Sequence, residues 1–157
     1  MTDRSVTHAT FVIERVYDAS PARVFAAFSD PTARDRWFVK SDSWPIAEYT
    51  FDFRVGGRES GRFSPDGTMM VYNETIYQDI VPDNRMVFAY TMRIGDKRIS
   101  ASLATVELKP EGKKTRLFYT EQGAFLDGLD QVADREKGCR DLYEQLAVEL
   151  ERDTATA

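Results

Sequence analysis

The chain of 157 residues is poor in the side chains that most often carry metal or nucleophilic chemistry, with one cysteine, Cys139, and one histidine, His8. A single cysteine excludes an intramolecular disulfide, and a single histidine excludes a metal site built from several histidines. A Ser-His-Asp triad could use only His8, which we expect to be a surface residue at the start of a strand. We therefore expect no metal ion, no cofactor and no catalytic triad.

The sequence also lacks a long apolar run and an excess of positive charge. No stretch resembles a signal peptide or a transmembrane span, so we expect a cytoplasmic protein that does not insert into membranes. Lysine and arginine number 21 against 26 aspartate and glutamate, which gives a formal net charge of -5. Nucleic-acid binding is disfavoured, because a mildly acidic chain has no general attraction for phosphate backbones.

What the sequence does contain is typical of one globular domain. Hydrophobic residues make up 42% and aromatic residues 12%, with ten Phe and seven Tyr. Such a composition suits either a thick core or a cavity lined by aromatic rings. We expect a disordered tail over residues 1–7, a single domain over 8–152 and a frayed C-terminus over 153–157.

The order of elements predicts an α+β fold. A strand at 9–17 is followed by two short helices, which begin at Ser20-Pro21 and Asp30-Pro31, each a capping residue before a proline. Short turns then connect about six antiparallel strands, predicted at 48–55, 59–63, 68–80, 85–94, 98–108 and 115–122. A long amphipathic helix at 129–152 must bury its apolar stripe against that sheet.

These features resemble the START-like helix-grip fold, which birch-pollen-allergen-like proteins and polyketide cyclases share. In that fold a curved antiparallel sheet of six to seven strands wraps around a long C-terminal helix, with two short helices after the first strand. The chain is most similar to the branch named for the activator of the heat-shock-ninety chaperone ATPase. Besides residues 20–25 and 30–31, the matching stretches are 55–57, 82, 85–88, 115–117, 120–123 and 135–139. The resemblance covers residues 8 to 150 and implies a tendency to bind apolar small molecules, without implying one reaction.

The long helix departs from that branch at one position. The branch commonly has tryptophan after the helix glycine, where this chain has Cys139 after Gly138. The smaller side chain predicts an enlarged cavity, unless Trp37, Trp44 or a phenylalanine refills the space. A glycine inside a helix costs about 1 kcal/mol relative to alanine, and close approach of the helix to the sheet would compensate for it.

Strand alternation and the helix stripe predict which side chains line the space between sheet and helix. Apolar walls with a few polar groups are typical of ligand pockets, although the same residues could simply pack as core. The predicted lining residues are Phe25, Trp37, Phe51, Phe53, Met70, Tyr72, Glu74, Phe88, Tyr90, Met92, Tyr119, Glu121, Cys139 and Tyr143.

Two of these residues, Glu74 and Glu121, are carboxylates that we expect on the inward face. A buried carboxylate is costly unless it is paired, so Arg54, Arg62 or a tyrosine hydroxyl could satisfy it in a structural ion pair or hydrogen bond. The two carboxylates could also act as acid and base on a substrate, or anchor a ligand. We expect Cys139 to behave as a small hydrophobic residue, because no nearby histidine would activate its thiol.

The function predicted from the sequence is the binding of a small hydrophobic or aromatic ligand between the sheet and the C-terminal helix. One alternative is a chaperone-interaction module, although the resemblance covers only one module of the ATPase activator. A second alternative is a cofactor-free cyclase or hydrolase that uses buried carboxylates and tyrosines. The expected partner is an apolar small molecule or a chaperone, and the choice between monomer and homodimer stays open.

Overall fold

A computed structural model describes residues 4–39, 46–64 and 69–154, with side chains up to Arg152. The described strands form one antiparallel seven-stranded sheet in the order β1-β7-β6-β5-β4-β3-β2. Strands β2 to β7 form a meander, and β1 pairs with β7 at one edge. The elements are β1 (Val6–Tyr17), α1 (Pro21–Ser29), α2 (Pro31–Arg34), a π-helical turn (Asp35–Val39), β2 (Ala47–Phe51), β3 (Arg58–Phe63), β4 (Val71–Val81), β5 (Arg85–Ile94), β6 (Lys97–Glu111), β7 (Lys114–Leu126) and α3 (Val132–Thr154). This arrangement is the predicted α+β helix-grip fold.

The two short helices begin where the capping residues predict. The Ser20 hydroxyl oxygen accepts a hydrogen bond from the Arg23 backbone N–H at 3.2 Å, and a proline follows the cap. The Asp30 carboxylate accepts from the backbone N–H of Thr32 at 3.0 Å, so one residue ends α1 and caps α2. These caps satisfy backbone donors that a helix N-terminus leaves unpaired.

Several element boundaries differ from the sequence prediction, and two of them concern residues to which the prediction gave a role. Strand β1 begins at Val6 rather than at residue 9, so residues 6 and 7 pair within the sheet. Strand β2 ends at Phe51, because the chain turns before Gly56, which has a φ of +82° and donates its backbone N–H to Tyr77. Phe53 therefore lies in the connection between β2 and β3 instead of in a strand.

Helix α3 runs from Val132 to Thr154 and packs unevenly against the sheet. In its C-terminal half Tyr143, Leu146 and Leu150 are buried in the core, whereas Cys139 and Leu142 in the N-terminal half are only partly buried. No helix among the described residues has the length and hydropathy needed to cross a bilayer. The uneven packing leaves space between the sheet and the N-terminal half of α3.

Candidate functional site

A cavity of about 400 Å³ lies between the sheet and the N-terminal half of α3. Its size falls within the usual range for small-molecule sites. Most of the described residues around it are apolar or aromatic, and several come from β4, β5 and the π-helical turn. The apolar and aromatic members, apart from tyrosines, are Phe28, Trp37, Phe38, Ile46, Phe63, Met69, Val71, Phe88, Met92, Ile94, Ile99, Leu129 and Leu142.

Half of the residues predicted to line a pocket border this cavity. They are Trp37, Phe88, Tyr90, Met92, Tyr119, Cys139 and Tyr143. The seven predicted residues that the structure does not place on the cavity wall are Phe25, Phe51, Phe53, Met70, Tyr72, Glu74 and Glu121. Contact of any of the fourteen with a ligand stays a prediction.

Strand β4 presents the opposite face from the one predicted. Val71 and Thr75 are buried and border the cavity, whereas Glu74 is exposed. Tyr72 also lies away from the cavity, with the Arg93 guanidinium 3.9 Å from its ring centroid. Because side chains alternate along a strand, moving the expected inward positions by one residue exchanges every side chain between the two sides of the sheet.

The aromatic residues of the β2 region form a separate contact. The rings of Phe51 and Phe53 lie 5.8 Å apart, and Phe53 packs edge-on against Phe25 with their centroids 5.7 Å apart. These side chains pack beside the cavity and support its wall. Met70 is also off the wall, and its neighbour Met69 borders the cavity instead.

Glu121 is fully buried on β7 behind the cavity wall, where five side chains donate hydrogen bonds to its carboxylate, among them the Cys139 thiol at 3.6 Å from Oε1. The hydroxyls of Tyr90 and Tyr119 lie 2.7 and 2.6 Å from Oε1. The Ser102 hydroxyl lies 2.8 Å and Arg135 Nη1 3.2 Å from Oε2. This carboxylate is an ion-pair and hydrogen-bond acceptor whose lone pairs are already used.

The structure does not bring Glu74 and Glu121 together. Glu74 is exposed on β4, and two strands, β5 and β6, separate it from Glu121 on β7. One alternative was that the two carboxylates act together as acid and base, which would require them to lie close to each other. The expected partners Arg54 and Arg62 also form other ion pairs, with Asp52 at 2.8 Å and with Glu48 at 2.8 Å respectively.

Arg135 is a site residue that the sequence reasoning missed. Besides Glu121, it donates to Asp130 at 2.7 Å, to the Ser100 hydroxyl at 2.7 Å and to the Tyr90 hydroxyl at 3.1 Å. It therefore joins the first turn of α3 to three neighbouring strands. Arg135 lies one helical turn before Cys139 and therefore on the same buried side of α3. This spacing could have identified it as a site residue from the sequence.

A second buried ion pair, Arg34 with Glu59, borders the cavity and was also missed. Arg34 Nε and Nη2 donate to the two carboxylate oxygens at 3.0 and 2.8 Å. The hydroxyls of Tyr77, at 2.9 Å, and Tyr49 also donate to Glu59. The Arg34 guanidinium lies 3.8 Å from the ring centroid of Phe38, a distance that favours a cation–π contact.

The ionisation of these groups follows from burial and pairing. Burial alone would lower the pKa of Arg34 and of Arg135, but their anionic partners raise the pKa of both above the ordinary value, so both stay cationic. Burial raises the pKa of the Tyr90, Tyr119 and Tyr143 hydroxyls well above 10.0, so all three stay protonated. Burial also raises the pKa of the Cys139 thiol, which makes it a poor nucleophile.

Gly138 and Cys139 both border the cavity. The glycine was expected to allow a close approach of the helix to the sheet. A Cβ atom placed on Gly138 would meet no atom within 4 Å, so the helix does not approach the sheet closely there. That expectation was wrong. Trp37 forms part of the wall without filling the space, and Trp44 lies outside the described residues.

The described residues offer no cluster of three or more His, Cys, Asp or Glu side chains that could hold a metal ion. The arrangement is an apolar cavity with polar groups at its rim and base. Such a site can enclose an apolar molecule and orient it by a small number of hydrogen bonds.

Comparisons with known proteins agree with this architecture. The family model of activator of Hsp90 ATPase homolog 1-like proteins matches residues 18–151. A crystal structure from Rhizobium loti is 56% identical with a TM-score of 0.85, covering 92% of this chain and 99% of the other. A structure from Rhizobium leguminosarum is 41% identical with a TM-score of 0.91, covering 96% and 99%. An AHSA1-like protein from Aeromonas hydrophila, 18% identical with a TM-score of 0.69, covers 93% and 94% and shares the fold. Among the curated proteins none matches this chain.

Proposed function

Because the chain belongs to the family of activator of Hsp90 ATPase homolog 1-like proteins and has their START-like helix-grip fold, we propose that it binds a small hydrophobic or aromatic molecule between the sheet and α3. The observation that carries the proposal is the cavity of about 400 Å³ with its apolar and aromatic walls. A domain of this size ordinarily fills such a space with side chains. A ligand that removes these walls from water gains the free energy of apolar burial.

The position of Gly138 supports the same proposal. The residue borders the cavity, and a Cβ there would enter open space. A glycine in this helix interior costs about 1 kcal/mol relative to alanine, and no steric requirement accounts for it. Retaining the open space for a ligand accounts for the glycine and for the small thiol beside it.

Gly138→Leu tests the proposal, with Gly138→Ala as the matched control. The probe is N-phenyl-1-naphthylamine, an uncharged dye whose fluorescence rises in apolar surroundings. We expect the wild-type protein and Gly138→Ala to bind the dye and to melt at higher temperature in its presence, since a ligand of the native state stabilises it. We expect Gly138→Leu to bind at least about tenfold more weakly, because the leucine side chain occupies the cavity.

The proposal fails if the wild-type protein neither binds the dye nor gains thermal stability from it. It also fails if Gly138→Leu, shown by circular dichroism to be folded, binds as tightly as the wild type. In that case the dye binds elsewhere on the surface.

A chaperone partner is the alternative that family membership favours. The family description names a protein that activates the Hsp90 ATPase, and the model matches most of this chain. The test is the ATPase rate of a purified Hsp90-type chaperone with and without this protein. A concentration-dependent rise in rate that Gly138→Leu leaves unchanged would favour the chaperone role over ligand binding.

A further inference from the structure

We infer that the cavity takes an uncharged ligand carrying one oxygen atom that accepts a hydrogen bond from Tyr143, and that it discriminates against carboxylate ligands. This inference rests on the proposed function and adds the chemistry of the ligand's polar group. Two independent features of the cavity support it, namely a hydroxyl on its wall that has no partner among the described residues and charged side chains that are already paired.

Tyr143 carries the unpaired hydroxyl on the cavity wall. The residue is 2% exposed and borders the cavity, and its ring is held between Tyr119 and Phe28 at centroid distances of 5.1 and 6.5 Å. Within residues 4–39, 46–64 and 69–154, no side chain or backbone group forms a hydrogen bond with its hydroxyl; the bond at this residue is from the Tyr17 hydroxyl to its backbone oxygen.

The hydroxyls of the other buried tyrosines all have hydrogen-bond acceptors. The hydroxyls of Tyr17 and Tyr77 donate to a backbone oxygen and to Glu59, and those of Tyr90 and Tyr119 both donate to Glu121. Buried polar groups are nearly always paired, since an unpaired one costs free energy. The Tyr143 hydroxyl is therefore a donor that a ligand acceptor would satisfy.

The charges around the cavity exclude an anionic polar group. Its two arginines are each bound to carboxylates, Arg34 to Glu59 and Arg135 to Glu121 and Asp130. Among the described residues of the wall, a ligand carboxylate would find no cation that is not already paired. It would also approach Asp134, an exposed cavity-wall residue that forms no ion pair with any described residue. Burying a charge without a partner is far more costly than burying a neutral oxygen.

A cationic polar group at Tyr143 finds no unpaired buried carboxylate among the described residues of the wall, because Asp134, which is unpaired, is exposed to solvent. The carboxylates of Glu59 and Glu121 already accept hydrogen bonds from arginine and tyrosine. An ammonium group beside Tyr143 would also experience the positive charge of Arg34, which acts on this hydroxyl more strongly than the negative charge of Glu121. Burial keeps the hydroxyl protonated by raising its pKa, so it remains a donor throughout the physiological range.

The test uses four probes with one naphthalene frame and different polar groups. They are the hydrocarbon 1-ethylnaphthalene, the alcohol 2-(1-naphthyl)ethanol, the carboxylate 1-naphthylacetate and the amine 2-(1-naphthyl)ethylamine. Their dissociation constants are measured at pH 7 by fluorescence and calorimetry. The variant is Tyr143→Phe, which keeps the ring and its packing. The control is Tyr72→Phe, whose ring lies off the cavity wall.

We expect the ratio of the alcohol's dissociation constant to that of ethylnaphthalene to rise about fivefold in Tyr143→Phe and to stay unchanged in Tyr72→Phe, as loss of one neutral hydrogen bond predicts. We expect naphthylacetate and the amine to bind the wild type at least about tenfold more weakly than the alcohol. Because Tyr143→Phe removes a hydroxyl that has no partner, we expect its melting temperature to stay within a few degrees of the wild type.

An unchanged ratio in Tyr143→Phe overturns the inference, and so does a charged probe that binds the wild type more tightly than the alcohol. Binding of ethylnaphthalene to the wild type in either case leaves the proposed function standing. If none of the four probes binds the wild type, the proposed function fails and this inference fails with it.

Discussion

Replacing Glu121 with glutamine tests the difference between Glu121 and Glu74, two carboxylates that the sequence pattern predicts on the same inward face. Glutamine has almost the same shape as glutamate but has one acceptor oxygen and no charge. If its amide nitrogen faces Arg135, two donors oppose each other, because a guanidinium cannot accept a hydrogen bond. If it faces the tyrosines, the hydroxyls of Tyr90 and Tyr119, which both donate to one carboxylate oxygen, lose that acceptor.

The expected cost follows from the burial of the pair. Glu121 is 0% exposed and the Arg135 side chain 7% exposed, so solvent replaces none of the lost interaction. Removing one partner of such a pair typically costs 3–5 kcal/mol, and Asp130, 2.7 Å from Arg135, remains as a second partner. We therefore expect Glu121→Gln to lower the free energy of unfolding by about 3 kcal/mol, which lowers the melting temperature by about 6–12 °C in a chain of this length.

The measurement is thermal and urea unfolding followed by circular dichroism, with Glu74→Gln as the matched control. Glu74 is exposed on the outer face, so its substitution should change the free energy of unfolding by no more than about 0.5 kcal/mol. Equal effects of the two substitutions would refute the placement of Glu121 inside and Glu74 outside. A Glu121→Gln protein within about 0.5 kcal/mol of the wild type would refute the role of the ion pair.

Two further predictions concern titration. We expect Cys139 to resist alkylation by iodoacetamide at pH 8 in the native protein and to react rapidly in urea, because its surroundings in the fold raise the thiol pKa above its ordinary 9.0. Equal rates in both conditions would contradict the raised pKa. We also expect the free energy of unfolding to fall as the pH rises above about 9, by up to about 1.4 kcal/mol per pH unit for each group in its window. The fold raises the pKa values of four groups, Tyr90, Tyr119, Tyr143 and Cys139, so the unfolded chain loses these protons first, near pH 10.0 for the tyrosines and 9.0 for the thiol. Their contribution to the free energy of unfolding is therefore complete below that range. A free energy of unfolding, measured in urea, that stays constant up to pH 11 would contradict the raised pKa values.

Features set by local chemistry could be predicted from the sequence. The helix starts at Ser20-Pro21 and Asp30-Pro31 depend on a cap and a proline next to each other in the chain, and both are confirmed. Strand β5 runs from Arg85 to Ile94 as predicted, because turn residues bound it on both sides. Half of the predicted lining residues border the cavity, since β5 and the buried stripe of α3 have clear periodicities.

The facing of β4 could not be predicted, because both of its faces carry apolar and polar residues. One face contains Val71 and Thr75, and the other contains Tyr72 and Glu74, so composition does not identify the inner face. A register shift between Tyr77 and Asp79 further interrupts the alternation. The pair of Arg34 and Glu59, 25 residues apart, leaves no local pattern because only the tertiary fold brings the two side chains together.

The two buried ion pairs explain how the N-terminal half of α3 remains apart from the sheet. Apolar contacts alone would favour closing the space, since protein interiors pack densely. Hydrogen bonds have narrow distance and angle ranges, so Arg135, bound to side chains on β5, β6 and β7, fixes the first turns of α3 at a set separation. Arg34, bound to Glu59 on β3, fixes the wall formed by α2 in the same way. In the C-terminal half of α3 an ion pair from Arg36 to the buried Glu149 is accompanied by direct apolar packing through Leu146 and Leu150, and the space is closed there.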